Sequence, residues 1–266
     1  MKTLFCLADI HGFYDEMMLA LNEAKYDINN PNHIIIHCGD LLDRGSQPLE
    51  CLKFINSIPS DRKVLIRGNH EDLLEDIFAR EYFMWHDISN GTAKTVYDLS
   101  DFMPEKSEFI DHLAIQDCSK NEELVKYLKS LVDYFEVDNY IFVHGWIPIY
   151  SRQGIHIDSI SRNSGEWKYG DWRKARWYNG MEKWSQGEII LDKTIVCGHW
   201  HTSWGHAYLH NNGVEWDDEY YENYPTAFFT PFIDKNIIAL DACTAYSNMV
   251  NCYKIEIEDD KCQLNM

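Results

Sequence analysis

An α/β fold is predicted for this chain by three observations. Six short apolar, β-branched runs recur at intervals of tens of residues: Thr3–Ala8, His33–Cys38, Lys63–Arg67, Tyr140–Val143, Thr194–Cys197 and Asn236–Leu240. Their length and composition are those of buried strands. Between them lie stretches with apolar residues at helical spacing, Tyr14–Tyr26, Gln47–Ile58 and an amphipathic Glu122–Phe135. Strands alternating with helices build α/β sheets. The third observation is chemical: five of the runs end in Asp, Asn or His, often beside Gly.

At 266 residues the chain is long enough for one large core. No internal repeat or low-complexity linker divides it, so a single domain over 1–266 is expected. Two excursions break the alternation, at about 149–190, rich in Trp and Arg, and at about 207–234, aromatic and acidic. Both are expected to decorate the core as long loops. No apolar run approaches the roughly 20 residues of a membrane-spanning helix. The N-terminal Met1–Ala8 resembles a short signal peptide, but its apolar stretch stops at Asp9 without a cleavage site of small residues, and it is read as a strand. Eight cysteines are scattered without CxxC or finger spacing. Several sit inside apolar runs, where free Cys acts as a small hydrophobe. A cytoplasmic location and no disulfide framework follow as expectations. The formal charge of −19 weighs against sequence-independent nucleic-acid binding, which needs Lys and Arg. A phosphate substrate stays open, because bound metal ions supply local positive charge.

The strand ends carry the argument. The first run leads to Asp9-Ile10-His11-Gly12, the second to Gly39-Asp40-Leu41-Leu42-Asp43-Arg44-Gly45 and the third to Gly68-Asn69-His70-Glu71. His144-Gly145 follows the fourth, and Gly198-His199-Trp200-His201 the fifth. A single Asp or His after a strand is ordinarily a turn former, and Gly there serves turn geometry. Five in succession, at the strand ends where α/β sheets bind ligands, describe a site. Carboxylates, imidazoles and an amide without a thiolate motif suit divalent Mn, Fe, Co, Ni or Zn.

The order DxHG, GDxxDRG, GNHE, HG, GH resembles the metallophosphoesterase superfamily, and within it the phosphoprotein phosphatase branch. That branch includes Ser/Thr phosphatases and symmetrical diadenosine tetraphosphatases. The closing run Ile237–Thr244 is similar to the family's LDTG-like strand, so the resemblance runs from Thr3 to about Glu258. It implies a four-layer sandwich, two mixed β-sheets flanked by helices, with a dimetal site at the C-terminal ends of the strands. It also implies two divalent ions, manganese first among them. Asp9, His11 and Asp40 would hold one, and Asp40 would bridge to a second held by Asn69, His144 and His199. His201 would add an imidazole to the first, as GHxH does in the wider superfamily.

By the same resemblance the reaction is hydrolysis of a phosphoric ester by a hydroxide bridging the metals, which lower the pKa of bound water from 15.7 toward about 7. Arg44 would fork the phosphate oxygens, a geometry guanidinium offers and ammonium does not. His70 would protonate the leaving oxygen, oriented by Asp43, whose charge raises the imidazole pKa. The second phosphate-binding arginine departs from the family pattern. In Asp171–Tyr178, Arg176 is the first candidate and Arg173 the second. HGW at His144-Gly145-Trp146 puts a bulky residue where relatives have Gly, and a ring beside the site is expected. Arg67 is expected to support its loop, and Glu71 to cap the helix Glu71–Arg80.

The leading function is a phosphomonoesterase of the Ser/Thr phosphatase type, acting on a phosphorylated protein or a small phosphate ester. The alternative is a symmetrical dinucleoside polyphosphate hydrolase. A phosphodiesterase is disfavoured by GDxxDRG and the negative charge, and a non-enzymatic scaffold by the complete ligand set. Membrane and nucleic-acid partners are not expected. The acidic, aromatic stretch Val214–Tyr224 could form a lid over the metals.

Overall fold

A computed structural model of the chain describes residues 1–105, 107–151, 158–160, 167, 169–190, 192–210, 228–259 and 261, with backbone alone at 149–151 and 158–160. Among these residues no helix is long and apolar enough to cross a membrane.

The six predicted runs form strands within a residue or two of their expected ends. They are β1 (Lys2–Leu7), β2 (His33–His37), β3 (Lys63–Ile66), β6 (Tyr140–Phe142), β9 (Thr194–Cys197) and β11 (Ile237–Ala239). Six others escaped the sequence reading. β4 (Leu131–Val132), β5 (Phe135–Val137), β7 (Ile149–Ser151), β8 (Asp158–Ile160) and β10 (Phe232–Asp234) have two or three residues each; β12 (Tyr253–Ile257) has five. Except for β7 and β8, which pair with each other, the strands assemble into two five-stranded sheets, ordered β12-β1-β2-β3-β4 and β10-β11-β9-β6-β5. Both are mixed. β1, β2, β3 and β4 run parallel with β12 antiparallel at one edge, and β11, β9 and β6 run parallel between antiparallel edges.

The alternation of side chains along each strand explains why the sheets stack. Leu4, Cys6, Ile34, Ile36, Val64 and Ile66 of the first sheet share one buried cluster with Phe142, Val196 and Ile238 of the second. The opposite residues, Phe5, Leu7, Ile35 and Leu65, pack on helices α1 (Tyr14–Glu23), α2 (Pro48–Ser57), α3 (Asn69–Arg80), α5 (Thr92–Asp98), α6 (Glu108–Cys118) and α7 (Glu122–Lys129), with a short α4 (Trp85–Ser89) between α3 and α5. On the far side, Ile141, Ile195 and Ile237 pack against Trp146, Met181 and Trp204. Strands buried on both faces read as continuous apolar runs, as these do. The result is four layers, helix, sheet, sheet, helix.

Local chemistry sets the helix ends. Pro48 opens α2, where a missing N–H costs nothing. The Asn121 side chain accepts from Leu124 N at 3.2 Å to start α7. That helix stops at Lys129 and not near Phe135: Leu131 and Val132 pair with β3, and Phe135–Val137 pairs with Tyr140–Phe142 through a turn in which Asp138 has φ +50°. The backbone hydrogen bonds of two sheet edges outweigh the extension of one amphipathic helix. The 149–190 excursion is likewise more than decoration. Trp167 and Trp172 are buried in the far-side core. Of the 207–234 excursion, a helix Ser203–His210 and β10 are described, while Val214–Tyr224 lies outside the described residues.

The loops after β1 and β2 interlock at two glycines. Gly45 donates to His11 O at 2.8 Å, and a Cβ there would meet the carbonyl oxygens of His11 and Gly12 at 2.4 Å. Gly45→Ala is therefore expected to destabilise the fold by about 1–3 kcal/mol, the cost of overpacking. Denaturant unfolding checks this, and an unchanged midpoint would disprove the contact.

Candidate metal centre

The C-terminal ends of β1, β2, β3 and β9 converge on one cavity of about 370 Å³, and His144, after β6, is buried beside Asp40 in its wall. The loops after β1, β2 and β9 leave their strands in a conformation that L-residues rarely adopt. Asp9, His11, Asp40, Asp43, Arg44 and His199 all have φ between +51° and +74°. Such geometry costs about 1–3 kcal/mol per residue and gathers at functional sites. Gly68 and Gly39 admit the close approach: a Cβ on Gly68 would lie 2.0 Å from Asp40 Oδ1, and one on Gly39 2.6 Å from His144 Nδ1.

Asp40 is the hub. It is 2% exposed, and its Oδ2 lies 3.4 Å from His144 Nε2 and 3.9 Å from the Nε2 atoms of His11 and His70. Burial alone would raise its carboxyl pKa, but His144, His70 and His11 outweigh that and hold it well below the carboxylate range. Two donor groups share it, His11/Asp40/His70 and Asp40/His144/His199, each with ligand atoms within 4.8 Å of one another.

The tautomers follow from the backbone. His11 Nδ1 donates to Leu42 O at 3.0 Å, His144 Nδ1 to Cys38 O at 2.8 Å, and His199 to the Trp177 carbonyl. A carbonyl only accepts, so in the neutral rings of His11 and His199 a lone pair turns to the cavity and in that of His144 to Asp40 and Asn69, the arrangement that fixes metal-binding histidines. Burial lowers the pKa of His11 well below the usual value and that of His199 to about 3, so both stay neutral. Around His144 Nε2 the fit to a cation is plainest. It faces Asn69 Oδ1 at 2.7 Å as well as Asp40, three acceptors turned on one point. A proton or a cation must lie between them. Burial opposes the proton, yet the charge of Asp40 raises the His144 pKa, so cation binding competes with protonation there. A set of carboxylate, imidazole and amide suits borderline divalent ions. The neighbouring thiols of Cys38 and Cys197 are pushed up by burial and stay protonated.

His70 differs from the other rings. Its Nδ1 bonds Asp43 Oδ2 at 2.6 Å, and its Nε2 lies 3.4 Å from the Arg44 guanidinium. Burial lowers its pKa, but Asp40, then the hydrogen bond and charge of Asp43, more than offset that and raise it. Asp43 is itself fixed by hydroxyls that sequence reasoning missed: Thr92 donates to Oδ2 and Thr95 to Oδ1, both at 2.6 Å. Glu71 caps more than its own helix. It accepts from the amides of Gly68 (2.7 Å), Asp40 (3.1 Å) and Leu41 (3.1 Å) and from Tyr127 Oη (2.9 Å), clamping two ligand loops together.

Other expected residues fall elsewhere. The Asp9 carboxylate turns onto the His199 amide, at 2.9 and 3.1 Å, outside both donor groups. His201 lines the cavity with Nδ1 on Ser203 Oγ at 2.6 Å, also outside them. Arg44 lines the cavity and is exposed. Arg176 does not line it. Its guanidinium is buried against Asp72, at 2.7 Å, and Asp133, so this arginine is structural. Arg173 pairs with Asp76 at 2.6 Å, and Arg67 with Glu75 at 2.6 Å. Trp146 packs fully buried in the far-side core and not beside the site; the rings that line the cavity are Trp177 and Trp200. Asp241 and Cys243, on the loop after β11, complete the wall with Asn90. The apolar run ending at Asp241 was the signal available for it.

The curated relatives include symmetrical bis(5'-nucleosyl)-tetraphosphatases. That of Proteus mirabilis is 37% identical over 119 residues, 45% of this chain and 40% of the relative. That of Buchnera aphidicola is 29% identical over 130 residues, 49% of this chain and 43% of the relative. The matched stretch thus spans about two fifths of each relative's length. Among solved structures, the cold-active protein-tyrosine phosphatase of a psychrophilic Shewanella species superposes with a TM-score of 0.56 at 17% identity. It covers 96% of this chain and 76% of the other, a likeness of fold. The family model for calcineurin-like phosphoesterases matches residues 2–224, most of the chain and the ends of β1, β2, β3, β6 and β9. The chain belongs to the calcineurin-like phosphoesterase family.

Proposed function

We propose that this chain hydrolyses phosphomonoesters with two divalent ions, manganese first among Mn, Fe, Zn, Co and Ni. The observation that carries the reading is the shared Asp40 between two donor groups, with the Arg44–His70–Asp43 trio against one of them. Asp9, His11, Asp40, Asn69, His144, His199 and His201 are the proposed ligands, His201 by rotation of a side chain already lining the cavity and Asp9 by release from the His199 amide. When bound, two such ions polarise phosphoryl oxygens and lower the pKa of coordinated water from 15.7 toward about 7. Arg44 binds and orients the phosphoryl oxygens. His70, whose pKa Asp40 and the Asp43 hydrogen bond raise, is placed to give a proton from Nε2 to the departing oxygen. Free, buried cysteines agree with a cytoplasmic setting.

The cavity's charge supports a monoester over a polyphosphate. Among the described residues Arg44 is its only arginine or lysine, since Arg173 and Arg176 are committed to carboxylates. A four-phosphate chain would find few partners there, and Asp241 adds a carboxylate. The second reading, a symmetrical dinucleoside tetraphosphatase, is favoured by what the curated relatives are called.

With Mn²⁺ added, phosphoserine peptide, phosphotyrosine peptide, para-nitrophenyl phosphate, diadenosine tetraphosphate and bis-para-nitrophenyl phosphate separate these readings. Turnover of the monoesters is expected. Cleavage of the tetraphosphate alone would transfer the assignment to the second reading, and cleavage of the diester alone would defeat both.

Elemental analysis should find both ions weakened in Asp40→Asn. His70→Asn should keep both while turnover falls about 10²–10⁴-fold, the usual worth of a general acid. Since His70 also stands in a donor group, loss of an ion from this variant would make it a ligand instead.

Arg44→Lys is expected to raise KM for every phosphate ester, because ammonium loses the bidentate fork. Arg176→Gln should leave KM alone and destabilise the fold by about 3–5 kcal/mol, the cost of orphaning a buried charge. A raised KM in Arg176→Gln at unchanged stability would restore it as a substrate ligand.

A further inference from the structure

The wall of the metal cavity offers an organic leaving group almost nothing but aromatic faces. Among the described residues that line it, the hydrophobic ones are Trp177, Trp200 and Cys243, and no Leu, Ile, Val, Met or Ala is with them. Trp177 is 50% exposed, while Trp172, Ala175 and Arg176 before it are buried. Its ring stands edge-on to the His199 imidazole, centroids 5.7 Å apart at 84°. Trp200 lies 6.1 Å from the same imidazole and stacks on His201 at 5.9 Å and 20°. Both indoles are therefore about one ring's width from an imidazole at the centre of the donor set. The backbone of Trp177 has a separate duty, since its carbonyl accepts from His199. That duty survives any change of side chain.

We propose that Trp177 and Trp200 form a ring-binding subsite that selects aryl phosphates, esters whose leaving oxygen sits directly on an aromatic ring. The inference rests on the phosphomonoesterase reading and names its substrate class. Reach decides between ring sources. A phenolic ring is bonded directly to the ester oxygen, so of these sources it is the ring held closest to a phosphoryl group at the metal ligands and Arg44. The indoles beside that position stand 5.7 and 6.1 Å from the His199 imidazole, and aromatic pairs attract at centroid separations of about 4.5–7 Å. A nucleobase is held farther from phosphorus by its ribose. A serine-type alkyl group arrives at the right distance but gains no stacking and covers little of either indole.

The test uses the metal-loaded full chain and two peptides of one sequence, bearing phosphotyrosine or phosphoserine, with diadenosine tetraphosphate as the nucleobase source. In Trp177→Leu the ratio of kcat/KM for phosphotyrosine over phosphoserine should fall about 3- to 10-fold, the worth of one aromatic pair. Trp177→Phe should keep most of it. Calorimetric titration with benzylphosphonate, which is not turned over, should weaken in Trp177→Leu by a similar factor, while methylphosphonate binding moves less. An unchanged ratio, or an equal loss for every ligand, would overturn the subsite. A loss confined to the tetraphosphate would overturn the aryl assignment and make the indoles a nucleobase wall. If loaded wild type cleaves no monoester but still prefers benzylphosphonate, the subsite stands and the phosphomonoesterase reading fails.

Discussion

Asp40 sets the terms for everything around it. A carboxylate shut away from water is tolerated only where positive charge or hydrogen bonds replace its hydration. Here three imidazoles, on the loops after β1, β3 and β6, bring nitrogens within 3.4–3.9 Å of one oxygen, and the His70 amide donates to the other at 3.0 Å. Because those loops belong to two different sheets, the site exists only if the sheets stack in register. The same stacking buries Cys38 and Phe142, the residues just ahead of two of the ligand loops. Core and centre are one construction.

That convergence is opposed by backbone strain, and the structure answers it with hydrogen bonds. Six residues at the centre hold left-handed conformations, a standing cost of about 1–3 kcal/mol each. Glu71 offsets part of it by accepting from two loops at once, with Tyr127 supporting the carboxylate from α7. Thr92 and Thr95 do the same for Asp43 from α5. None of these residues touches the cavity. They act by leaving Asp40 and Asp43 one orientation each, so that donors are in position before any ligand arrives.

The sequence made the centre more legible than its surroundings, for physical reasons. Strands buried on both faces leave unbroken apolar runs, and a strained turn at a strand end leaves Gly, Asp and Asn, so each ligand loop announced itself. Two- and three-residue strands such as β4 and β5 have no period to detect, and their pairing is fixed by tertiary contacts with β3 and β6. Arg176 was misread because sequence records the charge but not its partners. Asp72 and Asp133, at 104 and 43 residues' remove, claim that guanidinium. Trp146 misled for a related reason. His144, two positions before it, turns toward Asp40 and Asn69, and Gly145 passes tightly under the backbone of Ala175 to Tyr178, so the indole faces the opposite core.

The commitment of Arg173 and Arg176 to carboxylates has a consequence for recognition. In a chain of formal charge −19, a cavity whose described lining holds one arginine and no lysine has little side-chain charge with which to draw in an anion. On the proposed reading, attraction for phosphate comes from cations held by the donor groups, and affinity for substrate is then linked to metal loading. What remains for the protein to discriminate is the organic half of the ester, which long-range charge cannot read. Short-range contact can, and the surfaces offered for it are two indoles. A site that delegates charge to bound ions and shape to aromatic walls separates catalysis from selectivity. Either can then vary without dismantling Asp40 and its three imidazoles.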